Sequence, residues 1–163
     1  MQSQQGGYSY RQPLQEEHYS GAHVKAISYS LPHEFLDSQF QGIAAASDGK
    51  IYFGMSCHAP QHNGQFYSFD PQSENLGHIN DLGAWCGETD GVGTTNTHGK
   101  THSNIYEADG ILYFSTTSGH FTADHPYNGG HFLGYELSTG ECLDLAHYPD
   151  VNGGGLLTLV HEP

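Results

Sequence analysis

The sequence is short of positive charge: Arg11, Lys25, Lys50 and Lys100 stand against 18 acidic residues, for a formal charge of −14 with histidines neutral. A nucleic-acid backbone is held by basic side chains that replace its counterions, so DNA and RNA are not natural partners. A cation suits this chain better. Long apolar runs are also missing, and none approaches the ~18 residues a membrane helix needs. The opening MQSQQGGYSYRQPLQEEHYS is polar and holds no segment of the kind a secretory signal requires, so neither a signal peptide nor a transmembrane segment is visible. Cysteine is scarce as well. Cys57, Cys86 and Cys142 are odd in number and lack CxxC spacing, which argues against a disulfide framework and a zinc ribbon while leaving one disulfide open.

In place of these the chain has 22 Gly, 11 Tyr and 8 Phe spread over 163 residues. Short strands and tight turns use such residues better than packed helices do, so the expected class is all-β. The length is that of one ordinary domain.

An internal repeat organises the chain. Residues 40–83, FQGIAAASDGKIYFGMSCHAPQHNGQFYSFDPQSENLGHINDLG, read as four short strands, and residues 101–146 give the same order. Both copies place Asp-Gly at a tight turn, where glycine supplies positive φ, followed by alternating apolar residues of a half-buried strand. Aligned on that turn, Tyr52-Phe53 matches Tyr113-Phe114, and Phe66-Tyr67-Ser68-Phe69-Asp70 matches Phe132-Leu133-Gly134-Tyr135-Glu136. Four antiparallel strands per unit of roughly 40 to 60 residues is the signature of a propeller blade.

After a polar N-terminal segment (1–21), residues 22–38 read as the last two strands of a preceding blade, and 153–163 as the inner strand of a following one. The expectation is a β-propeller segment of about two and a half four-stranded antiparallel blades. Blades bury their faces only against neighbours, so other chains or missing blades are the expected partners, and the protein is expected to be an oligomer or part of a larger ring.

At GKTHS (100–103 with Gly99), DGILYF (109–114) and GGHFLGYELSTGE (129–141) the sequence resembles bacterial seven-bladed propellers of the kelch and quinoprotein-like type. Oligogalacturonate, ulvan and streptogramin lyases share that architecture. The resemblance implies the fold and, further, a channel-facing histidine that acts with a metal ion or a tyrosine to remove a proton beside a carboxylate or carbonyl. The residue here that matches a histidine opening an inner strand is His102.

The strand order also sorts the histidines. Connections from an outer strand to the next inner strand, and from second to third strand, share one face of a propeller. His58, His62, His98, His102, His120, His125, His131 and His147 fall on that face, eight of the 13 histidines, with Glu88, Asp90, Asp124 and Asp150 beside them. Three readings compete. Histidines in polar loops are solvated or bonded locally. Alternatively, neutral imidazoles bind a divalent metal, with His58, His120 and His131 as the candidate ligands. Finally, His102 at the mouth of an inner strand serves as a general base. HGKTH lies in a Gly-containing loop, so the helical zincin pattern does not apply. Cys57 reads as a structural cysteine, since its neighbour His58 points to the other side of the strand. These residues suit a metal-assisted lyase or hydrolase acting on a saccharide or carbonyl-bearing small molecule. The competing reading is a non-catalytic binding or self-assembly scaffold built from the same blades.

Overall fold

The computed structural model describes residues 15–19, 22–88, 97–150, 154–156 and 159, with 15–26 described in backbone alone. The architecture is all-β. A hairpin pairs β1 (Gln15–Tyr19) with β2 (Ala22–Ala26). The first repeat forms a four-stranded antiparallel sheet of β3 (Ile43–Ala45), β4 (Ile51–Met55), β5 (Gln65–Asp70) and β6 (Asn75–Asp81). A one-turn helix, α1 (Leu82–Trp85), follows. The second repeat forms the same meander from β7 (Tyr106–Ala108), β8 (Ile111–Ser115), β9 (Gly129–Glu136) and β10 (Cys142–Pro149). No helix among the described residues is long and apolar enough to cross a membrane.

The two Asp-Gly turns reach the same end by different geometry. Asp109 and Gly110 both have positive φ, 52° and 78°, as a two-residue primed hairpin demands. In the Asp48-Gly49 turn of the first sheet only Gly49 is left-handed, at 85°, within a longer turn closed by the Ala46 amide, which donates to Lys50 O at 2.9 Å.

Alternation along the strands gives each sheet an inner face, and the two inner faces meet. Tyr52 and Phe66 come from the first sheet, and Leu112, Phe114 and Leu133 from the second; all are essentially excluded from solvent. The Phe66 and Phe114 rings stack at 4.5 Å and 3°, while the Trp85 indole stands edge-on to both, at 5.5 and 5.2 Å. Burying one side chain of this size contributes about 1.5–3 kcal/mol. Trp85 is further tied by its Nε1–H, which donates to Leu143 O at 3.1 Å.

Asp81 caps α1 by accepting from Ala84 N at 3.0 Å, and it also receives Asn63 Nδ2 and Gln65 Nε2. The helix therefore starts at a fixed point on the first sheet and delivers Cys86 and Glu88 toward the second.

The flanks differ from the sequence expectation. Residues 27–38 form no continuous strand, and Leu31-Pro32 is not a hairpin turn. Pro32 has no N–H to give a ladder. The segment instead lies over the outer face of the first sheet, with Tyr29 5.0 Å from Phe69 and His33 Nδ1 2.5 Å from the Tyr67 hydroxyl. Hairpin pairing occurs earlier, across residues 15–26. The inner strand of the second sheet begins at Tyr106 rather than near Thr101, although Lys100 makes a bridge to Thr117. Most of the strand expected at 153–163 lies outside the described residues.

Candidate metal centre

Three connections interlace at one end of the sheets: 56–64, 97–105 and 116–128. The Cys57 amide donates to Gly99 O and the Gly64 amide to His98 O, both at 2.9 Å, while Lys100 and Thr117 exchange backbone bonds at 2.9 and 3.1 Å. The crossing point is lined by glycine because nothing larger fits. A Cβ on Gly99 would lie 2.5 Å from Cys57 O and 2.6 Å from Gly119 Cα. Gly99→Ala is therefore expected to destabilise the protein by about 1–3 kcal/mol, as overpacking against rigid backbone does. Urea denaturation checks this, and an unchanged midpoint would show that the crossing point yields.

The crossing places His98 and His131 side by side in the interior, His98 fully buried and His131 3% exposed, with their rings 5.1 Å apart and nearly perpendicular. Glu88 reaches between them from the turn after α1. Its carboxylate lies 2.7 Å from His98 Nε2 and 3.3 Å from His131 Nε2, and it accepts from Asn128 Nδ2 at 3.1 Å. Each ring is held from behind at its other nitrogen. Thr116 Oγ1 lies 3.1 Å from His98 Nδ1, and both Asp144 oxygens lie 3.0 Å from His131 Nδ1. Thr116 Oγ1 also accepts from the His131 amide at 2.9 Å.

Around these atoms the potential ligands form two overlapping groups. Cys86, His98 and His131 bring their ligand atoms within 4.8 Å of one another, as do Glu88, His131 and His147. His147 stacks on His131 at 4.3 Å and 16°. Strand geometry accounts for the convergence: Cys142, Asp144 and His147 of β10 line up with Tyr135, Leu133 and His131 of β9 on the inner face.

The electrostatics are those of a buried charge network. Burial alone would raise the Glu88 carboxyl, but hydrogen bonds from His131 and His98 outweigh it and hold the group well below the usual carboxylate range. His131 moves the other way. Burial disfavours its charged form, yet the bonds to Glu88 and Asp144 more than offset this and raise it. Burial, reinforced by the negative charges of Asp144 and Glu88, pushes the Cys86 thiol far up, so without a cation beside it the sulfur stays protonated at neutral pH.

The residues singled out from the sequence divide between this centre and a second, more exposed cluster. His131 belongs to the buried centre. His58, His120 and His102 gather outside it: the His58 and His120 rings are 5.4 Å apart, and Phe40 stands 6.2 Å from His58 and 4.2 Å from His102. Asp37 binds His58 twice, at Nδ1 (2.8 Å) and at the backbone amide (3.0 Å). Lys100 lies over the Phe40 ring at 5.2 Å. Burial lowers the His102 pKa, and the positive charges of Lys100 and His58 lower it further. Neither close group of ligand atoms among the described residues contains His58 or His120. The division follows from the strand end, where Cys57 turns into the interior and its neighbour His58 turns out.

His98 and Glu88 carried a visible signal, since topology places them on the histidine-rich face. Cys86 and Asp144 did not. Cys86 joins the centre only through the capped turn of α1, and Asp144 through the register that runs unbroken from the β9–β10 turn; the bulge between Asp144 and Ala146 then brings His147, rather than Ala146, to the same face. Asp90 lies outside the described residues. No family profile, curated protein or solved structure matches the chain.

Proposed function

We propose that this chain is a metal-binding protein of propeller type, in which two consecutive blades hold a transition-metal ion between His98, His131 and Glu88, with Cys86 as a further donor. One observation carries the reading. Both buried rings have Nδ1 engaged from behind, by Thr116 and Asp144, and both turn Nε2 toward Glu88. Outer oxygens that fix ring orientation in this way are the usual support of a histidine-ligated metal. A donor set of imidazole, carboxylate and thiol suits zinc best. Ligation would expel the Cys86 proton, so binding should release acid. The propeller reading is supported by two consecutive four-stranded meanders facing each other through their inner faces.

The activity that fits this arrangement is that of a metal-assisted lyase or hydrolase acting on a saccharide or other carbonyl-bearing small molecule. His102, kept neutral by its surroundings, is the group available to take a proton, with His58, oriented by Asp37, in the same cluster. The burial of the metal centre favours a second reading, a non-catalytic scaffold whose ion staples the loop after α1 to the second sheet.

Elemental analysis of the purified chain tests the core of the proposal. About one equivalent of zinc is expected, falling by at least tenfold in His98→Ala and His131→Ala and unchanged in His62→Ala, whose ring stacks on Phe35. Absence of metal after incubation with zinc and desalting would remove the proposal. Turnover of a saccharide panel that disappears in His102→Ala while the zinc is retained separates the enzyme from the scaffold.

A further inference from the structure

The two repeats meet through unlike faces, and among the described residues this leaves an unlike pair of faces only partly covered, by Tyr29 and His33 on the first sheet and by Leu156 on the second. In the repeat alignment Tyr52 and Phe66, on the inner face of the first sheet, correspond to Tyr113 and Phe132. These two lie on the outer face of the second sheet, opposite Phe114 and Leu133. Conversely Leu112, Phe114, Leu133 and Tyr135, on the inner face of the second sheet, correspond to Ile51, Phe53, Tyr67 and Phe69 on the outer face of the first. The molecule therefore carries one formed interface and, at its two ends, one more copy of each half of that interface.

The likeness extends to geometry. The Tyr52 and Phe66 rings lie 6.4 Å apart at 22°, and the Tyr113 and Phe132 rings lie 5.7 Å apart at 14°. In the formed interface Thr101, from the segment leading into the second sheet, lies over Gly54 and Gly42 of the first. At the residue matching Gly54, Ser115, the hydroxyl donates to Leu156 O at 2.7 Å, and Leu156 also lies against Gly130. Residues 154–156 thus approach the second sheet as Thr101 approaches the first.

On the first sheet the open half is a groove of about 420 Å³ lined by residues that include Leu31, Ile43, Ile51, Phe53 and Phe69. Tyr29 flanks it, as Trp85 flanks the formed interface. Three of the large apolar side chains left exposed sit on these two faces: Ile43 on the first, Leu145 and Tyr148 on the second.

We infer that the two outer faces are complementary to each other and that copies of this chain associate head to tail, the second sheet of one copy docking on the first sheet of the next. Such a heterologous contact closes into a ring or continues as a stack. It rests on the repeat relation within the chain and stands apart from the metal reading.

The test uses the full chain with each face spoiled at an exposed position, Ile43→Glu on one and Leu145→Glu on the other. Circular dichroism confirms that each variant keeps its sheets. In sedimentation velocity the unaltered chain is expected to move to species larger than 17.8 kDa as concentration rises. Each variant alone is expected to remain monomeric, because every copy lacks the same half. Mixed one to one, the variants should form a dimer and nothing larger, through the one intact pair of faces. A monomeric wild type at all concentrations, variants that associate as the wild type does, or a mixture that stays monomeric would each overturn the inference. Zinc content measured on the same samples is expected to be the same in all of them, so loss of association and loss of metal are read separately.

Discussion

Glu88→Ala is expected to destabilise the metal-free protein by about 3 kcal/mol near pH 6, because it strips two buried histidines of a shared partner and removal of one member of a buried pair costs roughly 3–5 kcal/mol. The carboxylate is 12% exposed, so little of this is lost to solvent screening. The pH dependence has a definite sign. The Glu88 carboxyl is depressed in the folded state, so its contribution is present above the ordinary carboxylate pKa of about 4.3 and disappears as pH falls through the lower folded value. His131 is raised, so its contribution is full below about pH 6.5 and is lost as pH rises through its folded value. The network therefore stabilises the apo protein most between those limits, and the difference between wild type and variant should be largest there.

Under the proposed zinc binding, the upper half of that profile is expected to reverse. A ligating imidazole must give up its proton, so the stabilisation conferred by zinc should grow as pH rises from 5.5 to 7.5, across the interval in which the apo network weakens. Thermal melts with zinc and with chelator, at several pH values, check both trends. A Glu88→Ala variant that melts with the wild type at pH 6 would show that the two histidines do not depend on this carboxylate.

Phe66→Ala should have the largest effect on the fold itself, about 3–5 kcal/mol, since the ring is wholly buried and stacks on Phe114. Phe66→Leu, which keeps most of the volume, should lose far less. The alanine variant is also expected to weaken zinc binding, because Trp85 rests edge-on against Phe66 and α1 carries Cys86 and Glu88. Phe53→Ala, on the outer face of the same sheet, should leave zinc binding unchanged. Urea unfolding and zinc titration of the two variants distinguish them. A Phe66→Ala penalty under 1 kcal/mol would mean that the sheets are held together elsewhere.

Both sheets were legible in the sequence because their signals are local. Asp-Gly turns and alternating aromatic residues need only neighbours a few positions away, and they locate β3 to β6 and β7 to β10. The hairpin of residues 15–26 escaped notice because QEEHY is polar and its partner AHVKA weakly apolar, so no buried face marks the pair. Topology also brought the histidine-bearing connections to one end without any motif. What it could not decide was which histidines share a ligand. That choice depends on whether a loop residue turns in or out, as His98 and His58 do on neighbouring segments, and on the β10 bulge that brings His147 to the same face as Asp144 and His131. Such orientations are fixed by contacts between separate segments, from His98 with Glu88, 10 residues apart, to His131 with Glu88, 43 apart, and a linear pattern carries no trace of them.

The crossing of the three connections through Gly99 and Gly119 also sets an order of events during folding. Each meander closes through short-range hairpins, which form quickly, whereas the crossing joins Cys57 to Gly99 and Lys100 to Thr117 and needs both sheets in place. The histidine pair is consequently expected to form late in folding. A ribosome-bound chain that has not yet exposed β9 and β10 lacks His131, and so has no histidine pair to offer an ion. Metal capture during synthesis would then report completion of the second sheet, and zinc supplied early should not hasten the formation of the first.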